Sequence, residues 1–457
     1  MNRRAGLDLG RPRVVHIVGI GGSGMNAIAT VLRAMGHRVS GSDLKASAGL
    51  ERLLALGVDA RVGHGAENLP EATEAVVIST AVPATNPEVQ EAGRRGIPVL
   101  RRADALAAIC ATRRTIAVAG THGKTTTSSM LALVLVEAGL RPSFIIGGEL
   151  NAIGSGAVWS DGEWFVVEAD ESDGTFLELG AEVAVVTSVE PDHLEHWGGF
   201  GPLRDAFGRF LESAGHLRVT CGDDPGAAEL GEAHGAVSYG TAEGCGYRIV
   251  RVRGGRAGIR FAVEHGGAEL GSVELPVPGL HNARNAAAAL ATALELGVPF
   301  AAAARGLGRY AGVARRYQFR GERDGVTFVD DYAHLPGEVA SVLTAAREGG
   351  WQRIVCVFQP HRFSRTAALA GDFADAFDGA DVLVVTEIDA AGEAPRPGVS
   401  GKLVLDAVLD RHPGRAACWF PSRAELAGNL RAVLRPGDLC LTLGAGDLTL
   451  LPTELLS

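Results

Sequence analysis

Two glycine-rich turns, each set between a strand-like run and a helical stretch, carry the first chemistry legible in the sequence. Gly19-Ile20-Gly21-Gly22-Ser23-Gly24 fits GxGxxG directly after the buried run Val14–Val18 and before a helix, with Asp43 nineteen residues past the last glycine. Glycines there let the backbone approach a pyrophosphate, while the helix start supplies amide donors and the positive end of its dipole. Taken alone, the fingerprint suits a nicotinamide or flavin dinucleotide as well as a UDP-sugar, because each presents a diphosphate to the same amides. A merely tight strand-to-helix turn is the other reading. Gly120-Thr121-His122-Gly123-Lys124-Thr125-Thr126-Thr127 is a phosphate loop of the shorter GxxGKT form, since Val118 stands where GxxxxGKT has its first glycine. Its amides would cradle phosphates, Lys124 would neutralise the β/γ charge, and Thr125 would ligate magnesium. A dehydrogenase has no use for this second loop, so the pair favours a ligase acting on two phosphorylated compounds.

Carboxylates gather after the next strand-like run. Trp164–Val167 leads into Glu168-Ala169-Asp170-Glu171-Ser172-Asp173. Four acids at the carboxyl end of a strand sit where open α/β sheets place ligands, and their mutual repulsion calls for a cation. Magnesium is the natural candidate, with Glu168 at the strand end its first ligand and Glu171 expected to matter less. Val183–Thr187 is followed by Glu190-Pro191-Asp192-His193-Leu194-Glu195-His196, in which His193 is the favoured metal ligand and His196 peripheral. In Pro278-Gly279-Leu280-His281-Asn282-Ala283-Arg284-Asn285, Asn282 and Asn285 stand one helical turn apart and can face one ligand, a helix cap being the competing role for Asn282. Asp330-Asp331-Tyr332-Ala333-His334 and Gln359-Pro360-His361-Arg362-Phe363-Ser364-Arg365-Thr366 each follow a strand-like run. Arg362 and Arg365, three apart at a helix start, can hold a carboxylate or phosphates.

Such groups need a scaffold that delivers many strand ends to one edge. Short β-branched runs alternate with Ala/Leu-rich helical stretches almost throughout, which predicts an α/β protein with helices on both faces of mostly parallel sheets. Val14–Val18, a helix over 25–35 and a strand over 38–40 complete a βαβ unit by Asp43. Strands over 75–79 and 97–100 and a helix over 101–111 lead to a boundary near residue 105. A second core opens with a strand over 115–119 and a helix over 125–138; the Gly- and Arg-rich stretch 244–277 reads as short antiparallel strands attached to it. After Arg315-Arg316, strands over 326–329, 354–358, 382–386 and 439–443 form a third group. The predicted domains are therefore 1–105, 106–315 and 316–457, in keeping with a chain of 457 residues, too long for one core. A net charge of -10 opposes broad binding to nucleic acid but leaves room for a local basic cleft for phosphorylated metabolites. Six cysteines without a CxxC pair read as reduced, buried thiols of a cytoplasmic enzyme. Met1–Arg13 has no apolar export segment, and the most apolar stretch, Ala286–Ala304, is broken by Glu295 and Gly297-Val298-Pro299, so no membrane insertion is expected.

Over essentially the whole chain the motifs resemble the Mur ligase family: GTHGKTTT, EADESDGTF, EPDH, PGLHNARN, DDYAH and QPHRFSRT, in that order. HIVGIGGSGM with Gly41-Ser42-Asp43, the acidic run and Ala391-Gly392-Glu393-Ala394-Pro395 look like its L-alanine-adding branch. The resemblance implies an N-terminal Rossmann-like domain for a UDP-sugar, a central P-loop ATPase domain with a mixed sheet, and a C-terminal Rossmann-like domain that closes over them. It implies ATP and Mg2+ as cofactors, with UDP-N-acetylmuramate and L-alanine joined through an acyl phosphate during peptidoglycan precursor synthesis. Carried onto this sequence, Gly19, Gly21, Gly22, Ser23, Gly24, Met25 and Asp43 would bind the UDP-sugar. Gly120, Thr121, His122, Gly123, Lys124, Thr125, Thr126, Asn282, Asn285 and Asp331 would bind the nucleotide. Thr125 and Glu168 would hold one magnesium ion and His193 would help hold another. Lys124, His193, His334, His361, Arg362 and Arg365 would line the catalytic site. One departure stands out: the alanine-adding branch commonly reads DDYGHHP, where this chain has Ala333 and Leu335, so the second histidine has no counterpart here. Addition of a recycled peptide to the same acceptor, or a UDP-sugar and ATP sensor without turnover, are the alternative functions.

Overall fold

The computed structural model describes residues 7–457; Met1–Gly6, part of the N-terminal stretch read above, lies outside the described residues. Three sheets carry the chain. The first runs Asp59–Val62, Arg38–Asp43, Val14–Val18, Ala75–Ile78, Val99–Arg101, every pairing parallel. The chain first adds strands on one side of Val14–Val18 and then returns to the other, so the first glycine turn leaves the central strand at a topological switch point. The following helix, Ser23–Ala34, buries Met25, Ile28, Ala29, Val31 and Leu32, the three-four spacing of an apolar stripe.

The second sheet runs Ala268–Leu275, Gly258–His265, Tyr247–Gly255, Val237–Gly240, Leu217–Cys221, Val183–Val186, Arg114–Ala119, Trp164–Glu168, Ser143–Leu150, Ser155–Val158. Arg114–Ala119 pairs in parallel with both Val183–Val186 and Trp164–Glu168, so the phosphate loop, the acidic run and the Glu190–His196 stretch all leave the same carboxyl edge. Helix Lys124–Glu137 is buried continuously from Thr125 to Leu135, which is why its sequence shows no amphipathic stripe. The Ala-rich helix Leu280–Glu295 packs Ala283 and Ala286 to Ala291 with no exposure and ends ahead of Gly297, whose φ is +86°. Among the described residues no helix is long and apolar enough to cross a membrane. The Gly- and Arg-rich stretch forms strands of eight or nine residues, longer than expected, joined by two-residue turns that only antiparallel neighbours allow.

The third sheet runs Gln318–Arg323, Val326–Asp331, Asp438–Leu443, Arg353–Phe358, Val382–Thr386, Ala417–Phe420, parallel except at the first pair. Beneath it Phe358 meets Phe373 and Phe377 with ring centres 5.1 and 5.2 Å away. The chain packs as two compact units. One comprises residues up to Val250 with Val263–Gly271 and Arg284–Leu307; the other comprises Arg251–Ala262, Ser272–Ala283 and Gly308–Ser457. All six cysteines are free, but only Cys110, Cys221, Cys356 and Cys440 are buried; Cys245 and Cys418 are partly exposed, a correction to the reading of six buried thiols.

Truncating Phe358, which has no exposure, leaves a cavity between two rings and is expected to cost about 3–5 kcal/mol. Chemical denaturation of Phe358→Ala measures this; a loss below about 1 kcal/mol would contradict the packing described.

Candidate active site

The first glycine loop is braced from the neighbouring strand. Gly19 and Ile20 donate their amides to the Ser42 carbonyl at 2.8 and 3.0 Å, and Gly21 donates to the Asp43 carboxylate at 2.9 Å. Gly19 takes a φ of +79°, and a Cβ on Gly21 would sit 2.9 Å from Asp43 Oδ2. Gly21 and Asp43, both expected to face a substrate, are thus committed to one another. The donors that helix geometry leaves open are the first-turn amides of Ser23, Gly24 and Met25, because the first intrahelical bond is Asn26 to Gly22.

At the phosphate loop, Gly120 (φ +136°) passes so near Thr187 and Ser188 that a Cβ would lie 2.9 Å from the Ser188 amide nitrogen. Gly123 (φ +80°) caps the helix, where a Cβ would lie 2.5 Å from Asn285 Oδ1. The His122 amide donates to Ser188 Oγ at 2.9 Å, and Thr121 Oγ1 accepts the Glu190 amide at 2.9 Å. Lys124 folds back over the loop: Nζ donates to the Gly120 and Thr121 carbonyls at 2.7 and 3.2 Å and lies 3.0 and 2.9 Å from the two Glu171 oxygens. Burial alone would lower the ammonium pKa, but Glu171, Asp170 and Glu168 together hold it above the ordinary lysine value. For Glu171 burial and Asp170 outweigh the pull of Lys124 and raise the carboxyl.

Glu171, expected to matter less than Glu168, is 1 % exposed and is the counter-charge of Lys124. The run carries counter-charges of its own. Lys124 answers Glu171, while Arg102 Nη2 lies 3.1 Å from Asp173 and 3.7 Å from Asp170. Arg102, which the sequence reading missed, also reaches the first loop, its Nη1 standing 3.3 Å from where a Cβ on Gly24 would be. A basic residue opening a helix just past the first sheet, at Arg101-Arg102, was the signal available.

Glu168 accepts the Gly147 amide at 2.8 Å, and a side chain at Gly147 would strike that carboxylate, a close fit that fixes its direction. The Glu168 carboxylate and the Thr125 hydroxyl are both hard oxygen donors, which suit magnesium. His193 sits in left-handed backbone (φ +50°), its ring 3.4 Å from Asp192 Oδ2. Among the described residues, the one cluster of three potential His, Cys or carboxylate ligands is Asp375, Asp378 and His412 on the surface. Asn285 lies at the loop, its Oδ1 accepting from Thr127 at 3.3 Å. Asn282 lies inside helix Leu280–Glu295 and donates its side-chain amide to the Pro278 carbonyl at 2.7 Å, so it is not a cap, which would accept.

In the second unit, Asp331 accepts the Tyr317 and Ala333 amides at 2.6 and 2.7 Å, and burial, opposed by Arg316, pushes its carboxyl up to about 6. His334 and His361 meet edge to face, centroids 5.5 Å apart. The Tyr332 carbonyl lies 3.0 Å from His334 Nδ1 and can only accept, so Nδ1 carries a proton. Arg365 lies 3.1 Å from His361 Nδ1 and can only donate, which leaves the proton of that ring on Nε2. Burial, aided by His334 and Arg365, pulls His361 down to about 4, and burial also lowers His334 against the pull of Glu338. Two neutral rings thus present opposite faces, a bare nitrogen on His334 and an N–H on His361. Arg362 is exposed in left-handed backbone (φ +67°), its amide tied to the Asp389 carbonyl at 2.8 Å. Leu335 is buried at the start of helix Pro336–Glu348.

Three family models match in sequence order: Mur ligase family, catalytic domain, over residues 14–114; Mur ligase middle domain over 118–293; and Mur ligase, glutamate ligase domain, over 315–446. The chain belongs to the Mur ligase family. Within this family it is 47% identical, over 95% of its length and 96% of the relative's, to the UDP-N-acetylmuramate--L-alanine ligase of Solidesulfovibrio magneticus. It is also 47% identical to that of Saccharopolyspora erythraea, with coverages of 97% and 92%. The crystal structure of the UDP-N-acetylmuramate-alanine ligase MurC from Thermotoga maritima superposes with a TM-score of 0.83 at 30% identity, covering 97% of this chain and 98% of that one. A murein peptide ligase from Psychrobacter arcticus, 22% identical with a TM-score of 0.71 over 97% and 98% of the two chains, shares the fold.

Glu171→Gln keeps the shape of the site but removes the counter-charge of a Mur ligase phosphate-loop lysine. ATP-dependent turnover is expected to fall at least tenfold, as for Glu168→Gln; steady-state rates within twofold of the parent would show that Lys124 does not depend on Glu171.

Proposed function

We propose that this Mur ligase joins L-alanine to the carboxylate of UDP-N-acetylmuramate, consuming ATP with Mg2+ and releasing ADP and phosphate, in the cytoplasm. The observation that carries the reading is Arg102. Two glycine loops of the diphosphate and polyphosphate type lie within one compact unit, and a single guanidinium touches the flank of the first and the acidic run beside the second. A ligase must deliver a nucleotide-linked acid to ATP, and a sensor or dehydrogenase has no need of that link. Full-length likeness to alanine ligases supports the amine. Six free cysteines suit a reducing compartment.

A carboxylate is a poor electrophile, and ATP supplies the phosphoryl group that turns it into an acyl phosphate, with magnesium offsetting the charge. In this reading Lys124 exchanges Glu171 for the transferring phosphoryl, and the amides of Gly123 to Thr126 hold the phosphates. Residues 1–105, 106–315 and 316–457 act as acceptor, ATPase and amine-placing domains. In the last, Arg362 and Arg365 hold the amino-acid carboxylate, His361 donates to it, and the bare His334 nitrogen accepts the proton that the amine loses as the C–N bond forms. Placement of amine against acyl phosphate away from water is a positioning effect that reaches about 7–11 kcal/mol in favourable systems.

ADP release with UDP-N-acetylmuramate is expected to depend on free L-alanine. Release driven only by a peptide would replace this reading with peptide addition, and no release with any amine would leave a sensor. Arg362→Ala is expected to lower ligation at least tenfold while leaving the ATP Kd within about threefold, measured by coupled assay and calorimetry; parallel losses would remove the residue from amine placement.

A further inference from the structure

Glu171 has to be held where Lys124 meets it, yet it stands three residues past the end of its strand, on a turn that is neither strand nor helix. The bonds within that turn are long: the Glu171 carbonyl accepts the Gly174 amide at 3.3 Å, and the Asp170 carbonyl accepts the Phe176 amide at 3.2 Å. The shorter bond comes from outside. Trp197 Nε1 donates to the Glu171 carbonyl at 3.0 Å, 26 residues along the chain.

Trp197 is itself anchored on two sides. It closes the one-turn helix Leu194–Trp197, where the His193 carbonyl accepts the His196 and Trp197 amides at 3.0 and 3.4 Å. Its ring meets Phe176 edge to face, centroids 6.1 Å apart, and the buried Phe176 packs on Phe207 and Phe210 of helix Phe200–Ser213 at 5.2 and 5.3 Å. Gly174 lies against the ring, since a Cβ there would stand 3.7 Å from Trp197 Cη2. Packing on Phe176 asks only for an aromatic ring. An N–H aimed from the ring edge at the Glu171 carbonyl asks for indole, because phenylalanine has no donor and tyrosine carries its donor at the tip. The bond leaves the Glu171 carboxylate free to face Lys124, and it fixes the backbone from which that carboxylate projects.

We propose that Trp197 is a positioning residue of the ligation: its indole N–H, acting through the Glu171 carbonyl, sets the carboxylate that faces the phosphate-loop lysine. The inference rests on the ATP-dependent ligation proposed above. A double-mutant cycle on the full chain tests it, with steady-state rates of ADP release as the readout. Trp197→Phe keeps a ring against Phe176 and loses the donor; kcat is expected to fall about fivefold, with the KM of the UDP-linked acid unchanged and Tm within about 3 °C of the parent. In a Glu171→Gln background the same substitution is expected to change kcat by less than about 1.5-fold, because the residue through which the indole acts is already lost. Replacing the indole by benzothiophene, which keeps the bicyclic shape and removes only the N–H, is expected to reproduce the fivefold fall and decides the matter if Trp197→Phe does not fold. Equal falls in the two backgrounds would make Trp197 a packing residue and overturn the proposal. So would a fall with phenylalanine that benzothiophene does not share, or a kcat within about 1.5-fold of the parent in the benzothiophene protein. A parent protein without ATP-dependent amide formation would overturn the ligase reading itself, and this inference with it.

Discussion

A buried ammonium must be answered on every side, and the centre of this molecule is organised around one. Lys124 has two loop carbonyls and both Glu171 oxygens within hydrogen-bonding reach, with Asp170 and Glu168 close enough to hold its charge. The carbonyls are available because Gly120 and Gly123 adopt left-handed or otherwise forbidden backbone and admit no side chain. Glu171 is available because the strand Trp164–Glu168 pairs in register with Arg114–Ala119, so the two loops leave the sheet together. A polyphosphate entering this loop competes with Glu171 for the lysine. The pair prevents an unpaired charge in a desolvated site.

The same accounting explains the wider acidic edge. Each carboxylate of the run has its own donor: Gly147 for Glu168, Ser172 for Asp170, Thr175 and Arg102 for Asp173. These bonds aim the groups before any ligand arrives, which matters because positioning loses its value when side chains must be ordered during reaction. In the other unit, two histidines are held neutral with opposite faces presented by one fixed acceptor, the Tyr332 carbonyl, and one fixed donor, Arg365. Residues of one type acquire different capacities from their neighbours alone.

Much of this was legible beforehand where a local constraint acts. Glycines at a strand-to-helix junction, a lysine and threonine at the helix start, and acids at a strand end have physical causes within a few residues, and all were assigned to the elements that carry them. Central strands were legible because burial on both faces makes them continuous apolar runs. Three of the strands passed over, Asp59–Val62, Gln318–Arg323 and Ala417–Phe420, are at sheet edges and show mostly exposed or half-exposed positions, so nothing in their composition separates them from loops; Ser143–Leu150, Leu217–Cys221 and Val237–Gly240, inside the second sheet, were passed over as well.

The sequence by itself determined the class of fold, the two phosphate-type loops and the residue types around them, because each rests on backbone freedom, periodicity or charge along a short stretch. Only the tertiary structure decided who partners whom. Glu171 answers Lys124, Arg102 reaches Asp173, 71 residues along the chain, as well as the turn at Gly24, and Asn285 meets Gly123. Hydrogen bonds and Coulomb interactions fall off with distance in space and are indifferent to separation along the chain. A carboxylate in a motif therefore looks the same in the sequence whether it waits for a ligand or already holds a neighbour.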